Sequence, residues 1–176
     1  MKHRVKHRAV APGGGPREIA GTTLRGVQRI LAAGLIAIFG ALSALHVFWA
    51  AGGRTGGAVA IPRHGGEALF TPSPLGTLAV ALALAAAAAS VAAAAGWLGA
   101  RGPTRAGRVL TAVLAVIFLS RAIGDFRYVG LFKSLGDDPF RSWDTWLFSP
   151  LCLAIALAAM TVARSRESRA PTTSWG

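Results

Sequence analysis

The sequence predicts an all-α fold, an integral membrane four-helix bundle with both termini cytoplasmic, and three observations carry that prediction. Four long apolar stretches, Val27–Ala51, Leu75–Gly99, Val109–Ile123 and Trp146–Ala163, divide the 176 residues. Composition is 53% hydrophobic and only 15% charged, well under the roughly 25% charged of a soluble domain. The net charge is nevertheless +12, and the basic residues stand at the ends of the apolar stretches. Interleaved with aromatics in one patch, they would argue for nucleic acid. Flanking spans, they argue for membrane lipids as partners and against nucleic acid.

The chain divides into a basic N-terminal tail over 1–26, a four-helix transmembrane domain over 27–163 and a basic C-terminal tail over 164–176. Met1–Gly21 contains the Gly- and Pro-rich Ala11–Pro16 and is expected to be disordered, its cations lying against anionic lipid. A cleaved leader within residues 1–51 fits poorly. The basic segment is too long, the apolar run that follows is too long, and three more apolar stretches come after it.

The first stretch, Val27–Ala51, is long enough to cross a hydrocarbon core of about 30 Å with some tilt. It ends on His46 and Trp49, and Gly40-xxx-Ala44 offers a small surface for packing within the bundle. A Gly-rich loop follows and closes on Thr71-Pro72-Ser73-Pro74, a rigid entry to the next helix. That loop has neither the Gly-Lys-Ser/Thr signature nor the βαβ surroundings of a phosphate loop. The second stretch, Leu75–Gly99, is also long enough to span, and its alanines between 81 and 95 favour close helix approach. The loop over 100–107 is short, which makes the second and third helices antiparallel neighbours.

The third stretch is only 15 residues, or about 22 Å, so its helix must begin before Val109 or extend past Ile123. It carries Arg121 with Asp125 four residues later, on one face if the helix continues. The loop 124–143 holds Phe126, Tyr128, Phe132, Phe140 and Trp143, suited to an interfacial belt and an interfacial helix. A fourth helix starting at Pro150, with Ser149 as cap, would be too short to cross. A start near Asp144 gives about 30 Å, with an acid at the positive helix end and Pro150 kinking the interior. Cys152 is the single cysteine, which excludes an intramolecular disulfide, and its expected role is that of a small buried hydrophobe.

Orientation follows from lysine and arginine. Lys2, Arg4, Lys6, Arg8, Arg17, Arg25, Arg29, Arg101, Arg105, Arg108, Arg164, Arg166 and Arg169 fall on one side of the spans. Arg54, Arg63, Arg121, Arg127, Lys133 and Arg141 fall on the other. The first side is therefore cytoplasmic, and the protein is expected to be a multi-pass cell-membrane protein.

This topology brings His46, Trp49, Arg121, Asp125 and Asp144 to the outer ends of helices one, three and four. A guanidinium at that depth is costly unless paired, and Asp125 or Asp144 supplies the partner. The cluster either clamps the bundle or binds a lipid or small lipophilic ligand. The alternative is a membrane enzyme or proton-linked transporter using the same residues. No HExxH, GxSxG or CxxC spacing supports a reaction, and no local ligand spacing supports zinc. No catalytic residue, cofactor or oligomeric state is indicated, and a membrane-protein partner stays open beside a lipophilic ligand.

Three segments together resemble a known family: Ala44-Leu45-His46-Val47-Phe48-Trp49-Ala50-Ala51-Gly52-Gly53, Arg121-Ala122-Ile123-Gly124-Asp125-Phe126, and Asp144-Thr145 with Ser149-Pro150-Leu151-Cys152. The resemblance is to small bacterial four-helix membrane proteins catalogued as domain of unknown function 3995, over roughly Gly34–Val162. It implies a four-helix membrane protein with no assigned activity and no catalytic residues to carry over. The family's recurring residues would be matched by His46, Trp49, Gly52, Gly53, Arg121, Gly124, Asp125, Asp144 and Pro150.

Overall fold

The computed structural model describes residues 16–61, 63–64, 67–68, 70–98, 102–124, 129–132 and 139–164. The long helices are α1 (Pro16–Ala50), α3 (Pro74–Ala94), α4 (Arg105–Ile123) and a composite fourth. That fourth helix joins α5 (Pro139–Trp143) to α6 (Ser149–Ala163) through a π-helical turn over Asp144–Phe148. Between α1 and α3 lie a single-turn helix α2 (Gly57–Ala60) and a minimal antiparallel hairpin, β1 (Arg63–His64) with β2 (Glu67–Ala68). Four helices, Ile19–Ala50, Pro74–Ala94, Arg105–Ile123 and Phe140–Ala163, are long and apolar enough to cross a membrane.

Each terminus has a local cause. Ser73 caps α3 by accepting from Gly76 N–H at 3.1 Å, with Pro74 in the first turn, where no amide donor is needed. At its other end Gly96 takes φ 77°, Trp97 N–H donates to Ala92 O at 2.8 Å and Gly96 N–H donates to Ala93 O, closing a Schellman turn. Thr104 caps α4 through Gly107 N–H at 3.0 Å, so the third helix gains its length upstream of Val109. The helix α1 runs 35 residues, about 52 Å at 1.5 Å per residue, and begins at Pro16 rather than Val27. Hydropathy alone marked only its apolar part.

The helices form a ring in chain order: α1 on α3, α3 on α4, α4 on α6 and α6 back on α1. Leu35 and Phe39 of α1, Val91 of α3 and Ile155 and Val162 of α6 fill its centre, with Phe39 and Phe118 rings 5.5 Å apart. Ala32, Ala87, Ala94, Ala115 and Ala159 let the backbones come close around them. Ser43 adds a hydrogen bond from α1 to Ala81 O of α3 at 2.8 Å. Gly40 and Ala44 lie on the exposed face of α1, so the packing surface expected of them belongs instead to Ala32, Leu35 and Phe39. Cys152 is buried and free.

Between 17% and 33% of each apolar window is buried inside the bundle. The remainder, including Leu75, Leu82, Val116 and Leu157, forms an outward apolar surface of the kind that suits lipid rather than water.

The helices α3 and α4 approach closely at Gly107, where a Cβ would come within 2.6 Å of Ala94 N and 2.8 Å of Ala93 C. Backbone cannot yield as a side chain does. Gly107→Ala is expected to cost about 1–3 kcal/mol of overpacking, read as a lower thermal midpoint in detergent. Gly40→Ala, which meets nothing within 4 Å, serves as the comparison and should be neutral or slightly stabilising. Equal midpoints for the two variants would show that α3 and α4 are not in tight backbone contact at Gly107.

Candidate functional site

Antiparallel neighbours bring the C-terminal ends of α1 and α4 beside the N-terminal ends of α3 and the composite fourth helix. At this end of the bundle the structure contains two connected features: a buried polar hub and a cavity of about 1030 Å³.

The hub is built on Asp144, whose side chain is 0% exposed. Arg121 Nη2 donates to Asp144 Oδ1 at 2.6 Å, Gly130 N–H donates to Oδ2 at 2.8 Å and Ser149 Oγ donates to Oδ2 at 3.2 Å. One carboxylate thus ties the end of α4, the following loop and the start of α6 together. Charge-assisted bonds to a buried carboxylate are the strong ones, and each donor offsets part of the desolvation of the charge.

The local geometry that presents Asp144 is the π turn. Pro150 has no N–H to offer the carbonyl of Trp146, and its ring would crowd that carbonyl in a regular helix. The preceding turn widens, and Ser149 N–H donates to Asp144 O, five residues back. The same widening lets the Ser149 hydroxyl reach the Asp144 carboxylate. Pro150 therefore lies inside a continuous helix, and that helix starts at Pro139 rather than near Asp144.

Of the two partners the sequence offers Arg121, Asp144, 23 residues away, is the one that pairs with it among the described residues. The helix stops at Ile123 because Gly124 takes φ 84°, so four-residue spacing no longer fixes a shared face; Asp125 itself lies outside the described residues. Leu131 N–H donates to Ala122 O at 2.9 Å, bringing the chain back against the end of α4.

His46, Trp49 and Arg121 all line the cavity, whereas Asp144 is sealed behind Arg121. His46 Nδ1 is 2.8 Å from Leu42 O; a carbonyl only accepts, so Nδ1 carries the proton and donates. Its ring meets Trp49 edge-on at 5.0 Å. Trp49 Nε1 donates to Thr55 O at 2.8 Å, which folds the loop after α1 back over the helix end. Gly53 lies so close to the Phe48 ring that a Cβ there would clash with it. The remaining walls are mostly apolar: Leu42 and Leu45 from α1, Phe70 from the loop, Val80 from α3, and Phe140, Leu147 and Phe148 from the fourth helix. The short α2 packs against α5 beside this space.

Arg121 is only half used. Its side chain is 32% exposed, yet Nη1 is buried and has no hydrogen-bond partner among the described residues. Among the described residues no three metal-ligating side chains gather. The sequence alone assigns no site role to Gly130, to Ser149 or to Arg54, which lines the cavity from the loop after α1. The first acts through its backbone amide and Arg54 through a loop, so neither leaves a periodic signal. The Ser149-Pro150 pair did leave one, as a competing helix start.

Residues 39–159, about two thirds of the chain, match the model of a family described as protein of unknown function (DUF3995). The match spans the hub and His46, Trp49 and Arg121. No curated protein and no solved structure matches the chain.

Proposed function

We propose that this chain, which belongs to the DUF3995 family, is an integral membrane protein with cytoplasmic termini that takes a lipid or small lipophilic molecule into the cavity at its outer end. Insertion is supported by four spanning-length helices with an outward apolar surface. The orientation rests on the excess of lysine and arginine in the tails and the loop between α3 and α4.

The observation that carries the binding reading is the cavity itself. At about 1030 Å³ it matches the upper range of ligand pockets, about 300–1,000 Å³, and it joins apolar walls to a few polar groups. A buried guanidinium nitrogen without an acceptor is expensive in a water-poor environment. An acceptor brought in by a ligand would satisfy it. The two roles weighed for the polar cluster divide between its members: Asp144 clamps, while His46, Trp49 and Arg121 face the ligand.

Native mass spectrometry of the full chain released from detergent tests this. The wild type is expected to carry adducts from a lipid extract. Leu45→Trp, which fills the cavity from α1, should lose them while keeping its thermal midpoint. Leu157→Trp, on the exposed face of α6, should keep them. Adducts that survive Leu45→Trp unchanged would place binding on the outer surface and sink the cavity reading.

A further inference from the structure

We infer that the cavity selects an anionic amphiphile, an apolar tail carrying a phosphate or carboxylate head; this rests on the lipophilic-ligand reading above. Among the described residues two arginines line the cavity, Arg54 from the loop after α1 and Arg121 from the end of α4, and no aspartate or glutamate does. Their contributions differ. Arg121 is neutralised by Asp144 through Nη2, so it supplies little net charge. It offers instead a directed donor, Nη1, buried and without an acceptor among the described residues. Arg54 is exposed and forms no ion pair among the described residues, so it supplies the uncompensated positive charge.

A phosphate or carboxylate has the oxygens to accept from one guanidinium while pairing with the other, the recognition for which arginine's planar fork is suited. A cationic head would face Arg54 with like charge and leave Nη1 still unmet. A neutral head could satisfy Nη1 and would gain nothing from Arg54. The apolar walls, Leu42, Leu45, Phe140 and Phe148 among them, accept a hydrocarbon tail of any head class. Selectivity therefore resides in the arginines and affinity for lipophiles in the walls.

The test is a native mass spectrometry titration of the full chain in nonionic micelles with dodecyl phosphate, dodecanoate and dodecyltrimethylammonium. The wild type should bind one or both anionic probes at least about tenfold tighter than the cationic one, and Arg54→Gln should weaken the anionic probes by about tenfold. Arg164→Gln removes the same charge from the opposite end of the bundle and should change nothing. Tighter dodecyl phosphate identifies a phosphate head and tighter dodecanoate a fatty-acid head; either supports the inference. Equal binding of anionic and cationic probes, all lost in Leu45→Trp, would overturn the anionic selectivity and leave the lipophilic cavity standing. Equal weakening by Arg54→Gln and Arg164→Gln would assign the preference to whole-molecule charge and also overturn it. Binding of every probe unchanged in Leu45→Trp would remove both readings.

Discussion

Asp144→Asn, an isosteric change, is expected to lower the stability of the bundle by about 3 kcal/mol. The carboxylate is fully buried and accepts from Arg121, Gly130 and Ser149 at once. Asparagine keeps the volume but loses the charge and one acceptor oxygen, turning an amide toward donors. Removing one partner of a buried ion pair typically costs about 3–5 kcal/mol, because the other charge is left unpaired. Arg121 keeps partial contact with the outside, which places the expected value at the lower end of that range. Thermal or denaturant unfolding in detergent measures it.

The double variant Arg121→Gln with Asp144→Asn separates a lost pair from a lost shape. Once neither charge remains, part of the stability should return, with a coupling energy of about 1–3 kcal/mol. A wild-type midpoint for Asp144→Asn would mean that the hub does not hold α4 to α6. The clamp assignment would then fail without touching the cavity.

How much of this was legible beforehand differs by element. The long helices were legible because unbroken apolar length marks them, and Pro74–Ala94 and Arg105–Ile123 needed only their caps, Ser73 and Thr104, to be placed. The N-terminal extension of α1 was not. Helices need no apolar residues to continue, and Pro16–Gly26 carries a charge-bearing, mixed sequence that hydropathy passes over. Arg121 stood out because ionisable groups at span ends are rare. Of the two acids offered as its partner, Asp144 is the one the structure pairs with it; helical spacing could not decide for Asp125, because it holds only while the helix lasts, and one residue, Gly124, ends it.

The cavity was least legible of all. His46, Trp49 and Arg121 could be brought to one level by counting turns. Arg54, one of the loop residues that close the space, sits among turns around Gly52, Gly53 and Gly56. Those turns depend on contacts such as Trp49 with Thr55, which no periodic rule anticipates. The π turn belongs to the same class. It answers a proline inside a helix, and the sequence shows the proline without showing which turn will widen.

The second large effect is expected at the backbone that feeds the hub, where Gly130→Ala and Gly124→Ala should each cost about 3 kcal/mol or more. Both glycines take positive φ, 95° and 84°, a conformation that costs an L-residue roughly 1–2 kcal/mol on its own. Space adds to that. A Cβ on Gly130 would run into Gly124 and the Ile123 carbonyl, and one on Gly124 would run into the Val129 carbonyl and Gly130, all backbone. The two glycines are in contact because the chain crosses itself here, and that crossing delivers Gly130 N–H to Asp144 and Leu131 N–H to Ala122 O. Relief by backing the loop away would withdraw a donor from a buried carboxylate, so the strain cannot be shed cheaply. Gly52→Ala makes the discriminating comparison: it has positive φ as well, but nothing stands within 4 Å of its Cβ. It should lose only the conformational part, about 1–2 kcal/mol, in the same unfolding measurement. If Gly130→Ala lost no more than Gly52→Ala, the close crossing and its delivery of an amide to Asp144 would be refuted.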